Sequence, residues 1–231
     1  MKKVSVIMAS IFLLAICTSC SEQLYSYITL YHSPGDYAVG LEYDGTYLWH
    51  TAWMNEGYPN VYKLDYATGN VLSSFTAPTE HIEDLVYFDN GLWSCDWYDA
   101  KIFKMNPTTG EILKEYPSPG PAPVGMAYDG EYLWCGDTET DTIYQLNPDS
   151  GAVISQIPAP FGQAEGIAYI NGNLWVADFL SGKIYQLNPQ DGSVIVSFNA
   201  PTENPEGLAY DGTYLLNCSW TTGDIYRIKI Q

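Results

Sequence analysis

Apolar positions along this chain come in short runs separated by turn residues, and the same run recurs at a fixed interval. Residues Glu165 to Pro205 hold one complete unit. Gly166-Ile167-Ala168-Tyr169 reads as a short apolar strand. Asn171-Gly172 follows, the dipeptide favoured in two-residue hairpins because both positions tolerate positive φ. Leu174-Trp175-Val176-Ala177 is a second strand. Ser181-Gly182 turns the chain, and Lys183-Ile184-Tyr185-Gln186-Leu187 alternates with the period of two expected of a half-buried third strand. Asn188-Pro189-Gln190-Asp191-Gly192 is another turn, Ser193 to Phe198 is the fourth strand, and Pro201 ends it. Outside the N-terminal segment no stretch carries the 3.6-residue apolar period of a helix.

The unit is written almost five times. Tyr43-Asp44-Gly45-Thr46-Tyr47-Leu48-Trp49 reappears as Tyr128-Asp129-Gly130-Glu131-Tyr132-Leu133-Trp134 and as Tyr210-Asp211-Gly212-Thr213-Tyr214-Leu215-Leu216. Shortened copies end at Trp93 and Trp175, so the anchors 49, 93, 134, 175 and 216 lie 44, 41, 41 and 41 residues apart. A strand-rich period of this size predicts an all-β five-bladed propeller with four strands per blade. The fifth copy stops after its third strand, at Ile228-Lys229-Ile230-Gln231. Tyr27-Ile28-Thr29-Leu30-Tyr31 matches the missing fourth strand, so the N-terminal strand is expected to close the last blade and remove two exposed sheet edges.

The first residues fall outside the repeat. Lys2 and Lys3 precede an apolar run from Val4 to Ile16, too short for a permanent membrane span, which reads as an export signal. It ends in Cys17-Thr18-Ser19-Cys20. A small residue before Cys20 resembles the processing site of a bacterial lipoprotein, so residues 1–20 are expected to be a signal peptide with Cys20 as the lipidated residue. Residues 21–231 form the single propeller domain. The expected location is the cell envelope, lipid-anchored, or else periplasmic or secreted, with membrane contact only through the N-terminal anchor.

The chain is strongly acidic, with a formal net charge of −18. Such a surface repels phosphate backbones and argues against nucleic acid as a partner. It attracts cations, although diffuse charge also serves solubility. Cys95, Cys135 and Cys218 fall inside strands of different repeats. An odd number with no C-x-x-C pair gives neither a disulfide framework nor a metal motif, so they read as small buried hydrophobes. No HExxH, GxSxG or phosphate-cradling glycine loop occurs.

The repeat identifies which residues share one mouth of the ring. Positions just before the first strand are Val39, Glu83, Val124, Glu165 and Glu206. Second strands end at Ala52, Asp96, Asp137, Asp178 and Ser219, followed by Trp53, Trp97, Thr138, Phe179 and Trp220. Glu83, Glu165 and Glu206 are therefore expected around the channel mouth. Asp96, Asp137 and Asp178 should lie outside them, with Trp53, Trp97, Phe179 and Trp220 nearby. Each set has a structural reading too. The aspartates can cap turns, the glutamates can bond channel amides, and the aromatics can pack between blades. Clustered glutamates raise one another's pKa, which leaves one able to carry a proton near neutrality. They can equally hold a hard cation such as Ca²⁺, with Glu83, Glu165 and Glu206 as ligands.

The pattern Glu-Gly-Leu/Ile-Ala-Tyr-Asp-Gly, Leu-Trp, Ile-Tyr-Gln-Leu-Asn-Pro resembles the lactonase-like and sensor-like bacterial propellers. With five blades it resembles the plant-type glutaminyl cyclotransferases. That resemblance implies an enzyme converting N-terminal glutamine to pyroglutamate, with Glu83 as general acid and base and Phe179 in place of a pocket tryptophan. The chain departs from that family at Tyr37-Ala38-Val39-Gly40-Leu41, where the family has Phe-Thr-Gln-Gly-Leu, and at Glu165, where it has Asn. The sequence thus supports an exported ligand-binding or interaction propeller whose acidic, aromatic-rimmed site takes a small molecule, peptide, sugar or envelope protein. The alternative is a glutaminyl cyclotransferase-like enzyme using Glu83.

Overall fold

The structure is a computed structural model and describes residues 25–160 and 162–230. The segment carrying the expected signal peptide and Cys20 lies outside the described residues. Among them, every regular element is a strand, and the strands form five antiparallel sheets of four. Blade 1 contains Tyr37–Tyr43, Tyr47–Trp53, Asn60–Asp65 and Val71–Thr76, and blades 2, 3 and 4 repeat that order. In blade 5 the strand Ser26–His32 pairs with Asp224–Lys229, from Ser26 opposite Lys229 to His32 opposite Asp224. The N-terminal strand therefore closes the ring, as the partial fifth repeat predicts.

The repeated motif has a local cause. Asp44 accepts the backbone N–H groups of Thr46 and Tyr47, at 2.9 and 2.7 Å, and the indole N–H of Trp49 at 2.8 Å. Asp129 makes the same set with Glu131, Tyr132 and Trp134. One carboxylate thus fixes the hairpin and orients the anchor tryptophan. In the shortened blade 4 hairpin, Asn171 and Gly172 take φ of 50° and 86°, the left-handed pair that a two-residue turn requires.

The core lies between blades. Trp49 and Val61 of blade 1 pack with Ile82, Leu85 and Phe103 of blade 2. Equivalent clusters join blades 2 and 3, and blades 5 and 1. Cys95, Cys135 and Cys218 are free and fully buried in these seams. Near the axis the first strands approach so closely that a side chain would collide with the next blade. A Cβ on Gly166 would sit 2.4 Å from the Glu206 carbonyl oxygen, and one on Gly207 would sit 2.5 Å from that of Val39. The glycine within four of the five first strands, at positions 40, 125, 166 and 207, is thereby explained.

Candidate functional site: a carboxyl cluster at one mouth

Each first strand breaks register with its neighbour at the same place. Ile82 pairs with Asp96 and Leu85 with Ser94, so Glu83 and Asp84 sit in an irregularity between them. The same break falls between Ala164 and Gly166 and between Pro205 and Leu208. Such bulges re-aim side chains at the end of a strand. Here the result is convergence: carboxylate oxygens of Glu83, Glu165 and Glu206 all lie within 4.8 Å of one another.

Three acids this close, shielded from water, cannot all be ionised without cost. Burial pushes Glu83 well above the ordinary carboxyl range, and Glu165, Asp84 and Asp96 push it further. Burial also raises Glu206, with Glu165, Glu83 and Asp84 adding to it. Glu165 rises to about 7, first through burial and then through Asp178. The cluster therefore holds protons more strongly than isolated carboxyls do.

Beneath the cluster lies a carboxylate that the repeat comparison overlooked. Asp84 stands where the other four blades have glycine. Its side chain accepts backbone N–H groups from Leu41, Leu85, Met126 and Ile167, at 3.3, 3.0, 3.1 and 3.2 Å. These donors belong to blades 1, 2, 3 and 4, so one carboxylate ties together amides from four blades. Burial lifts Asp84 to about 8, against the pull of these four bonds. Glu42 occupies a position that is Val86, Ala127, Ala168 or Ala209 elsewhere. It accepts the Tyr87 N–H at 3.0 Å, and burial raises it to about 8. Glu42 lines a cavity of about 190 Å³, together with Tyr43, Tyr87, Tyr128 and Tyr169. The sequence signal for both acids is a break in the repeat, a charged residue where the other copies are small.

The aromatics form a connected wall. Tyr37 stacks on Trp220 with centroids 4.5 Å apart, and Trp220 meets Trp53 edge-on at 5.9 Å. Trp53 donates its indole N–H to the Ile82 carbonyl at 2.9 Å, next to Glu83. His81 joins Trp53 at 6.1 Å to Trp97 at 5.1 Å. Trp53, Trp97 and Trp220 are therefore brought together through His81, two residues before Glu83 in the chain. Phe179 lies on blade 4, where its backbone N–H bonds the Gln163 carbonyl and its carbonyl accepts from the Asn204 side chain.

The aspartates are occupied by turns. Asp96 accepts N–H groups of Tyr98 and Asp99 at 2.9 and 2.8 Å. Asp137 accepts from Thr140 and Ala122 at 2.8 and 2.7 Å, and Asp178 from Gln163 and Ser181 at 3.0 and 3.2 Å. Their carboxylates hold the loops of the mouth in place, the structural use foreseen beside the binding one.

A family model for glutamine cyclotransferase matches residues 14–228 of the chain. The chain belongs to the glutamine cyclotransferase family. Its fold is similar to that of glutaminyl cyclase from Myxococcus xanthus, at a TM-score of 0.72 and 13% identity over 88% of this chain and 95% of that one. It is also similar to a catalytically inactive virginiamycin B lyase from Staphylococcus aureus. There the TM-score is 0.55 and the identity 18%, over 86% of this chain and 68% of the other. No curated protein matches the sequence.

Proposed function

We propose that the chain is a glutaminyl cyclotransferase, closing the N-terminal glutamine of a peptide to pyroglutamate with loss of ammonia. The observation that carries this reading is the convergence of Glu83, Glu165 and Glu206 within 4.8 Å, with raised proton affinity, in a member of the glutamine cyclotransferase family. The reaction needs little beyond positioned proton transfer. The neutral α-amine attacks the γ-carboxamide carbon, forming the ring C–N bond. A proton leaves the attacking nitrogen and another must reach the carboxamide nitrogen, so that the old C–N bond breaks with NH₃ as leaving group. In this scheme ionised Glu83 accepts the first proton and returns it to the departing nitrogen, an exchange that a carboxyl with raised proton affinity supports.

Glu83 is the best placed of the three acids for this role. It feels Glu165, Asp84 and Asp96 together, and it sits beside the Trp53 and Trp97 wall. Glu165 and Glu206 then tune its affinity and hydrogen-bond the substrate's neutral α-amine, while the aromatic wall excludes water and packs the glutamine methylenes. The test is release of ammonia from a Gln-peptide by the purified protein. Release with matching loss of ammonia mass from the peptide supports the reading. A protein that binds the peptide without converting it returns the chain to a ligand-binding propeller.

We further propose export and lipid anchoring at Cys20. Metabolic labelling with palmitate should mark the wild type and not Cys20→Ser; equal labelling would contradict the anchor.

A further inference from the structure

Cyclisation itself needs only the terminal residue, yet the rim extends well beyond it. A cavity of about 290 Å³ opens beside blade 2, lined by Tyr58, Glu80, His81, Asp96, Tyr98 and Asp99. Tyr98 is 69% exposed and Tyr58 47% exposed, so both rings are open to a guest in the cavity. The Tyr98 ring is held in place: His81 stacks on it at 4.8 Å and Trp97 meets it edge-on at 5.9 Å. Because His81 also meets Trp53 at 6.1 Å, the aromatic wall of the carboxyl cluster continues into this cavity.

The cavity's chemistry is one-sided. Asp96 is committed to the Tyr98 and Asp99 N–H groups, which fixes the loop. Glu80 hydrogen-bonds the Tyr58 hydroxyl. Asp99 and Glu80 are both exposed. Among the described residues, the loops joining strands at this mouth contain aspartate and glutamate but no lysine or arginine. The nearby Lys101, at the start of a third strand, is turned to Glu115 at 3.4 Å. The Tyr58 ring and the open face of Tyr98, with two carboxylates and no lysine or arginine, suit one kind of guest, a cationic side chain held by ring faces and opposite charge.

We propose that this cavity is a subsite for the residues following the N-terminal glutamine and that it selects lysine or arginine there. The proposal rests on the cyclotransferase reading for its orientation but not for the cavity's preference. The experiment compares Gln-peptides carrying arginine, alanine or glutamate at the second and third positions. The expected result is a kcat/KM for the arginine peptide roughly five- to tenfold above that for alanine, the scale of one exposed cation–π contact and a screened charge pair. The gain should lie in KM, shrink in high salt, and fall toward a ratio of one in Glu80→Gln/Asp99→Asn and in Tyr98→Ala. Turnover of all peptides at equal kcat/KM overturns the subsite and leaves the enzyme reading standing.

A binding arm keeps the two separate. Tryptophan fluorescence is titrated with Ala-Arg-Ala and Ala-Glu-Ala amides, which cannot cyclise. Tighter binding of the arginine peptide without any Gln turnover sustains the subsite and removes the enzyme. Equal binding of both peptides overturns the subsite.

Discussion

Asp84 on the first strand of blade 2 accepts the backbone N–H of Ile167 in blade 4 at 3.2 Å, across 83 residues of sequence. With Leu41, Leu85 and Met126 as further donors, this single side chain is the partner of four buried amides. Removing it strands those donors. Asp84→Ala is expected to destabilise the fold by about 3 kcal/mol, since each buried unpaired amide costs on the order of 1–3 kcal/mol and channel water recovers part of it. Asp84→Asn, which keeps one acceptor oxygen, should lose less. Urea unfolding checks both, and equal stability of Asp84→Ala and wild type would contradict the axial role.

Stability should depend on pH in a definite direction. Carboxyls whose folded pKa lies above the unfolded value bind more protons when folded, so they lose stability as pH rises through that interval. The interval runs from 4.5 to about 7 for Glu165, from 4.5 to about 8 for Glu42, and from 3.8 to about 8 for Asp84. His50 acts oppositely. It is fully buried between Ser33 and the Gly40 carbonyl, and burial lowers it from 6.5 to about 4, so its contribution is lost as pH falls across that range. Several acids outweigh one imidazole. The thermal midpoint is expected to be higher near pH 6 than near pH 8.5, and Glu42→Gln should reduce that difference. A midpoint that rises toward pH 8.5 would contradict the buried acid assignment.

The close packing at the axis predicts an intolerant glycine. A Cβ at Gly166 meets backbone of blade 5 at 2.4 Å from the Glu206 oxygen and 2.7 Å from the Leu208 nitrogen, with no flexible side chain to yield. Gly166→Ala should cost roughly 3 kcal/mol, the upper range for overpacking. Gly45, by contrast, has open space around a Cβ and only its φ of 93° against substitution. Gly45→Ala should cost about 1 kcal/mol. Parallel thermal melts of the two variants check the ordering.

Three oxygens within 4.8 Å can also be bridged by Ca²⁺, whose bonds to oxygen run about 2.3–2.6 Å. An ion there would hold Glu83, Glu165 and Glu206 ionised and leave no proton to give. Millimolar Ca²⁺ is therefore expected to raise the thermal midpoint at pH 8 and to slow cyclisation in the same concentration range. Activation of turnover by Ca²⁺ would contradict a proton-carrying cluster.

Much of this architecture is legible in the sequence because a repeat states its geometry many times over. The five Trp/Leu anchors, the Asn171-Gly172 turn and the N-terminal strand that completes blade 5 all follow from period and turn chemistry. So does the shared mouth of Glu83, Glu165 and Glu206. What escapes is what the repeat does not repeat. Asp84 and Glu42 look like isolated substitutions until the ring places them on or near the axis beside amides of other blades. The capping roles of Asp96, Asp137 and Asp178 depend on which carboxylate oxygen reaches which amide, and spacing alone leaves that open. The role of His81, in the turn before Glu83, escapes too, because its contacts with Trp53, Trp97 and Tyr98 span two blades.

The account turns on Glu83 as the group that carries the proton. The direct measurement is the single-turnover rate of Gln-peptide cyclisation by wild type, Glu83→Gln and Glu83→Asp, each confirmed folded by its thermal melt. The expected result is a loss of about 10²–10⁴-fold in Glu83→Gln, the usual contribution of a positioned acid–base group. Glu83→Asp should recover part of the rate, with an altered pH profile. Cyclisation by Glu83→Gln at the wild-type rate would contradict the account.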